Sequence, residues 1–205
     1  MHEYDVPTTH AFQDPVYVRG WADEAIHKNP ERPAIFDAFV EAVNARGTDL
    51  TVAEIGSGPG FLAEQILDRC DVECYVLVDF SQAMHALARE RIARHLDRAR
   101  FVLTDVREPG WAAALRPDPD IALSMQALHE LRHKNRAPRF YAQLRARLRP
   151  GGAVLVCDHL RPADDDRPLF MTVDEHLAAL GAGGFDDPEL LRQEGSLALF
   201  AAFRR

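Results

Sequence analysis

Apolar positions along the chain switch repeatedly between a short continuous run and a helical spacing. Ile35, Phe36, Phe39, Val40 and Val43 recur at intervals of three and four, with Pro33 suited to a helix start and Gly47 to its stop. Residues 50–55 then form a compact apolar run that predicts a strand. Residues 61–69 return to helical spacing, with Phe61, Leu62, Ile66 and Leu67 on the inner side. A second strand is expected over 73–78, ending at Asp79, and Ser81 is placed to cap a helix over 82–95. A third strand over 100–104 ends at Asp105. A short helix near 111–115 is broken by Pro117 and Pro119, and a fourth strand covers 120–124. A helix over 138–148 stops at Pro150-Gly151-Gly152 before a fifth strand over 153–157. Residues 172–180 read as a last helix, followed by two strands, 189–192 and 197–203, around the turn at Glu194-Gly195. Strands alternating with helices predict an α/β fold, a mostly parallel sheet with helices on both faces. The first thirty residues, with Phe12, Tyr17 and Trp21, stand outside this alternation. They are expected to be either a lid or an irregular apron. The whole chain, 1–205, is expected to be one domain, with 1–35 as that lid or apron and 50–205 as the core.

Composition narrows the picture. The 205 residues are 47% hydrophobic and 27% charged, a globular mixture with no apolar run near the roughly 20 residues needed to span a bilayer. The N-terminus lacks the basic start and apolar stretch of a signal peptide, so a cytoplasmic protein with no membrane partner is expected. Cys70, Cys74 and Cys157 are odd in number and scattered, which fits buried thiols better than a disulfide framework or half a zinc site. A net charge of −8 disfavours general nucleic-acid binding. One segment departs from it: residues 131–157 contain no acid but carry Arg132, Lys134, Arg136, Arg139, Arg145, Arg147 and Arg149. That segment is either a solvated helix face or a dock for an anionic partner.

The first strand ends in Gly56-Ser57-Gly58-Pro59-Gly60 before a helix, an arrangement that lets a ligand approach bare backbone at a helix N-terminus. The third glycine comes one residue earlier than the dinucleotide fingerprint requires, and Pro59 removes an N–H that a pyrophosphate would use. A ligand without phosphate is therefore favoured. Asp79 closes the next strand about twenty residues on, where an acid can hold ribose hydroxyls. Asp105 closes the third, where a carboxylate can accept from an adenine amino group. Phe80 and Met84 are placed to pack on an adenine face.

The segments EIGSGPGFLAEQIL, VLVDFSQAM, FVLTDV, DIALSMQALHEL and LRPGGAVLVCDH together resemble the successive motifs of class I S-adenosylmethionine-dependent methyltransferases, from about Val52 to the C-terminus. The resemblance implies a Rossmann-like seven-stranded sheet whose last strand is antiparallel, with S-adenosylmethionine as cofactor. It also implies that Glu54, Gly56, Ser57, Gly58 and Gly60 wrap the methionine part, Asp79 binds ribose, and Asp105 with Val106 meets adenine. Gln126 would lie at the methionine end. Those motifs specify the cofactor and leave the acceptor open.

A second constellation, His129-Glu130-Leu131-Arg132-His133, fits H-E-x-x-H, which on a continuous helix would present two imidazoles for zinc. Here it follows a sheet strand and precedes Pro138. No metal is expected, a site of His129, His133 and Asp158 being the weaker alternative. Because open α/β sheets bind ligands at the carboxyl ends of their strands, His129 to His133 and Asp158-His159 are expected to converge beside the transferable methyl. His129 or His159 is the expected general base, with Glu130 or Asp158 fixing its tautomer. Tyr17, Trp21, Glu130, His133 and Asp158 are the expected acceptor contacts.

The segment Ser124-Met125-Gln126-Ala127 lacks the Asn/Asp-Pro-Pro-aromatic signature of amino-directed DNA methyltransferases, and no Pro-Cys pair is present. An O- or N-methyltransferase acting on a small molecule is expected, with a homodimer left open. The alternatives are a catalytically silent cofactor-binding module and an RNA methyltransferase using the basic segment.

Overall fold

The structure is a computed structural model that describes residues 5–162 and 164–205, without the side chains of Ile26 and His27. Seven strands form one sheet in the order β3-β2-β1-β4-β5-β7-β6. The strands are β1 (Leu50–Ile55), β2 (Val72–Asp79), β3 (Ala99–Leu103), β4 (Ile121–Met125), β5 (Ala153–His159), β6 (Asp186–Glu194) and β7 (Leu197–Phe203). The first five run parallel, and β7 is antiparallel to both its neighbours. The alternation pattern implied the mostly parallel α/β sheet, and the family resemblance its seven strands and antiparallel last strand.

The central strands are apolar at nearly every position because helices cover both sheet faces. All six residues of β1 are buried. One face packs against α2 (Arg32–Asn44), α3 (Phe61–Arg69) and α4 (Gln82–Arg91), through Ile35, Phe39, Leu62, Ile66 and Ile92. The other packs against α5 (Ala137–Arg145) and α6 (Val173–Ala182), through Phe140, Tyr141, Leu144 and Leu180. Exposed β6 closes one edge, and its Pro188 and charged Arg192 and Glu194 discourage pairing with another strand.

Local chemistry sets the helix starts. Asp14 caps α1 (Pro15–Lys28), accepting from the Val16 and Tyr17 N–H groups, with Pro15 in the first turn. Ser81 caps α4 through the Met84 N–H at 3.0 Å. Thr172 and Glu175 form a reciprocal capping box on α6.

Three sequence expectations change. Residues 15–28, within the segment expected as a lid or an irregular apron, form a regular helix that packs Val18, Ala22 and Ala25 inward. These small residues at spacings of four and three, with Gly20 between them, give a weak amphipathic signal; the Asp14-Pro15 pair was the legible cue. The helix expected over 82–95 stops at Arg91, and a 3₁₀ turn at Ala93–His95 brings the His95 ring to 2.6 Å from Asp68. The fifth strand runs on through His159, so Asp158 and His159 lie within its paired end rather than beyond it.

Six of the seven basic side chains of the 131–157 segment find an acidic partner within the fold. Arg132 pairs with Glu130, Lys134 with Glu175, Arg136 with Asp5, Arg145 with Asp186, Arg147 with Asp118 and Arg149 with Asp120. Arg139 is exposed and makes no ion pair among the described residues, so one of the seven basic side chains stays available on this face. The three cysteines are free thiols, Cys70 and Cys157 buried and Cys74 half-buried. Among the described residues no helix is long and apolar enough to cross a membrane.

Candidate active site

A cavity of about 380 Å³ opens at the carboxyl ends of β1, β2 and β4. Its size falls in the range of small-molecule sites. One end is built by the glycine loop. Gly56 has φ +71°, and a Cβ there would fall inside the van der Waals envelope of the Ala127 methyl. Only glycine lets β1 turn this close to the chain leaving β4. Gly60, also at positive φ, lies under the loop against Ala88 on α4 rather than in the cavity wall.

Glu54, Gly56, Ser57 and Gly58 all line the cavity. Glu54 is 2% exposed and accepts from the Tyr75 hydroxyl at 2.8 Å. Burial pushes its carboxyl up to about 8, against the opposing hydrogen bond. Asp79 accepts from the Ser81 N–H at 2.9 Å and the Gly58 N–H at 2.8 Å, one on each oxygen. Burial raises it to about 6 despite those bonds. Each oxygen keeps a further lone pair, the requirement for receiving a ribose diol.

Phe80, Met84, Asp105 and Val106 complete this end of the cavity. Asp105 is clasped by Arg107, whose N–H and guanidinium bond both carboxylate oxygens between 2.6 and 3.1 Å. Burial would raise Asp105, but the Arg107 bonds and charge outweigh it and hold the carboxyl below its ordinary value.

The other end gathers residues far apart in sequence. A single 3₁₀ turn, Leu128–Leu131, follows β4 and places His129 against Asp158 on β5. Asp158 Oδ1 lies 2.7 Å from His129 Nδ1, and Asp158 Oδ2 accepts the His129 backbone N–H at 2.8 Å. The carboxylate thereby assigns the Nδ1–H tautomer and leaves Nε2 free of Asp158. Burial alone would raise Asp158, but the facing imidazole brings it down to about 2. The partner effect is reciprocal: burial would depress His129, yet Asp158 outweighs it and holds the imidazole above its ordinary value.

His159 is engaged differently. Gln126 Nε2 lies 2.8 Å from His159 Nε2, and His159 Nδ1 lies 3.0 Å from Ser196 Oγ. An amide NH₂ can only donate, so His159 Nε2 accepts and the proton sits on Nδ1. Burial lowers this imidazole from its ordinary value. Its basic nitrogen is occupied, whereas that of His129 is not taken by Asp158.

The H-E-x-x-H segment does not form one helix. Arg132 adopts φ +66° and ends the turn, and His133 starts the next one by accepting the Asn135 N–H at 3.1 Å. His133 lines neither this cavity nor the small one behind His129, so the fold does not bring it to the expected acceptor contact. Among the described residues no group of three or more His, Cys, Asp or Glu side chains is placed to hold a metal ion.

Glu130 does reach the cavity, between His10 at 3.3 Å and Arg132 at 3.0 Å. Trp21 lines it as well. Tyr17 stands one layer back, its ring 6.0 Å from that of Phe12. Asp158 supports His129 from behind and touches only the small rear cavity.

Sequence reasoning missed several residues here. Thr8, His10 and Phe12 enter the wall from the N-terminal segment, which is tied down at both ends. The Arg132 guanidinium donates to the Val6 and Pro7 carbonyls, and Gln13 donates to the Phe80 carbonyl at 2.8 Å. Asn29 and Arg32 come from the α1–α2 junction and converge on Gln126, a residue held at φ +53°. No local motif marks these positions; their signal is tertiary.

The donor set fits S-adenosylmethionine. Ser57 Oγ and Arg32 Nη1 are buried without a hydrogen-bond partner in or beside the wall, and Asp79 keeps acceptor capacity. A nucleoside carrying an amino-acid tail has the hydroxyls, ammonium and carboxylate that such groups lack.

Comparison with known proteins agrees. The family described as methyltransferase domain matches residues 52–152. The trans-aconitate 2-methyltransferase of Delftia acidovorans is 34% identical over 110 residues, 51% of this chain and 36% of that protein. The chain spans only part of the curated relatives it matches, as little as 3% in one case. An O-methyltransferase family protein from Burkholderia thailandensis superposes with a TM-score of 0.74 at 18% identity, covering 94% of this chain and 61% of that one. The CurJ carbon methyltransferase superposes with a TM-score of 0.72 at 15% identity, covering 93% and 61%. At these identities the two structures attest the fold. Other neighbours with the same fold were solved with S-adenosylmethionine or S-adenosylhomocysteine bound. The matched domain, the strand order and the glycine loop with its two strand-end acids place this chain in the class I S-adenosylmethionine-dependent methyltransferases.

Proposed function

We propose that this chain transfers a methyl group from S-adenosylmethionine to a small-molecule acceptor whose reacting atom must lose a proton, with His129 as general base. The observation that carries this reading is the buried Asp158–His129 pair at one end of the cofactor cavity. S-adenosylmethionine supplies an electrophilic methyl that needs no further activation. The chain's task is to align the acceptor, exclude water and take the proton. Asp158 fixes the His129 ring and stabilises its protonated form. Gln126 holds His159 in the opposite role, as a neutral side chain shaping the wall. Phe12, Trp21, Phe36 and Phe61 give the cavity apolar surface suited to an organic acceptor.

An O–H acceptor is the leading reading. An acidic C–H is the second, because an imidazole base serves both, and this fold occurs in O- and carbon methyltransferases alike. A catalytically silent module would have no use for an imidazole held by a buried carboxylate.

The test is transfer of labelled methyl to phenol, carboxylic acid, amine and β-dicarbonyl panels, followed by a pH profile on the best acceptor. Turnover should rise with pH through a midpoint above the ordinary histidine value, because His129 must be neutral to act. Asp158→Asn should lower both the rate and that midpoint, since the raising influence is lost. A profile flat across that range, unaltered by D158N, would remove His129 from the mechanism.

A further inference from the structure

Resting on the cofactor reading, the geometry points to Arg32 as the receptor for a carboxylate bound in this cavity, an assignment that no motif makes. Arg32 opens α2 and lines the cavity, yet it is only 8% exposed. A guanidinium carries five N–H donors. Here Nε donates to Gln126 Oε1 at 2.6 Å, while Nη1 is buried with no partner. Among the described residues the side chain makes no ion pair, and burial pushes it below its ordinary value. Its charge lies 5.6 Å from the centre of the Phe61 ring.

Withdrawing a cation from water is unfavourable unless an anion compensates it. If Arg32 only tied α2 to the end of β4, a single donor would serve and no charge would need burying. Gln126 shows how the group is held. Its oxygen is committed to Arg32, and its NH₂ is committed to Asn29 Oδ1 at 3.2 Å and His159 at 2.8 Å. The amide is thus locked in orientation and fixes the plane of the guanidinium. A planar, pre-oriented fork with unused donors matches a carboxylate, which it can bind bidentately. Two sources fit this chemistry: the amino-acid carboxylate of the cofactor and a carboxylate on the acceptor.

The experiment is calorimetry on the full chain and its Arg32→Met and Arg32→Lys variants, with thermal unfolding as a folding control. The probes are S-adenosylhomocysteine, methylthioadenosine, which lacks the carboxylate, and benzoate added with and without S-adenosylhomocysteine. If the cofactor is the source, R32M should bind S-adenosylhomocysteine about 30-fold or more weakly, the loss expected when one member of a buried charge pair is removed. Methylthioadenosine should then bind wild type and R32M equally, and R32K should recover part of the loss. If the acceptor is the source, S-adenosylhomocysteine should bind both alike, and benzoate binding should disappear in R32M alone. Equal weakening of S-adenosylhomocysteine and methylthioadenosine would show a structural role and overturn the assignment. So would three probes indifferent to the substitution. Failure of the wild-type chain to bind S-adenosylhomocysteine would strike the cofactor reading instead, and the benzoate arm would still decide for Arg32.

Discussion

The two ends of the cavity are built on opposite electrostatic plans. At the glycine-loop end, Glu54 and Asp79 are buried carboxyls facing backbone and a hydroxyl, and burial raises them to about 8 and about 6. At the far end, Asp158 is buried just as completely, yet it faces an imidazole and falls to about 2. Equal burial gives opposite shifts because Asp158 has a cationic partner within the chain, as the less buried Asp105 has in Arg107, whereas Glu54 and Asp79 have none. The first end leaves acceptor capacity on Asp79 and a Ser57 hydroxyl without a partner. The Asp158–His129 pair at the second end is complete before anything binds, as a base positioned ahead of its substrate must be.

The sharpest way to break this comparison is His129→Ala. Loss of a positioned general base should lower turnover roughly 10²- to 10⁴-fold. Affinity for S-adenosylhomocysteine, measured by calorimetry, should stay at its wild-type value because the glycine-loop end is untouched. Equal losses in turnover and cofactor affinity would show that the two ends are one coupled network.

The same division explains what could be read from the sequence. The cofactor end is local: residues 54–60, 79–84 and 105–106 each lie within one strand-to-helix turn, where spacing and glycine placement carry the information. Pro59 and the early Gly60 steered the reading away from dinucleotides. The acceptor end is assembled across the chain. His129 meets Asp158 over 29 positions and Arg32 meets Gln126 over 94. The strand ends predict the first pairing, since the residues at the carboxyl ends of the fourth and fifth strands are expected to converge. Nothing local predicts the second, because Arg32 sits in an unremarkable stretch between Pro30 and Pro33. His133 misses the cavity for a physical reason. Arg132 in the left-handed region breaks the turn and sends His133 into a capping role.

A smaller effect tests the geometry of the loop itself. Gly56→Ala places a methyl against Ala127 at a backbone angle that L residues rarely adopt. Such overpacking costs about 1–3 kcal/mol, read as a lower melting temperature and weaker cofactor binding. Gly20→Ala is the control: it lies inside α1 with nothing within 4 Å of the added carbon. It should be neutral or stabilising by about 0.5–1 kcal/mol, from helix propensity alone. If the two variants melt alike, close approach is not what keeps glycine at position 56.

The smallest effect concerns pH and separates the two ends by sign. Glu54 has its folded value raised from 4.5 to about 8, so the folded chain holds a proton that the unfolded chain releases across that window. Stability must therefore fall as pH rises from 4.5 to 8. Asp79 acts in the same direction between 3.8 and about 6. Asp158 acts oppositely: its contribution is full above 3.8 and is lost only as pH drops toward 2, so it is flat where Glu54 is steep. His129, raised above 6.5, stabilises below that value and loses its contribution as pH climbs through its folded value, adding to the decline at the alkaline side. Glu54→Gln keeps an acceptor for the Tyr75 hydroxyl but cannot ionise. Its melting temperature should exceed that of wild type at pH 8 and match it closely at pH 5. In E54Q the Asp79 contribution between pH 5 and 6 is opposed by buried His85, which burial lowers to about 4 and which favours the fold as pH rises toward 6.5, so the slope there should be shallow, and the decline above pH 6.5 belongs to His129. A melting curve for E54Q that follows wild type across the range would mean that Glu54 is already ionised in the ligand-free fold. The contrast between the two ends of the cavity would then have to be abandoned.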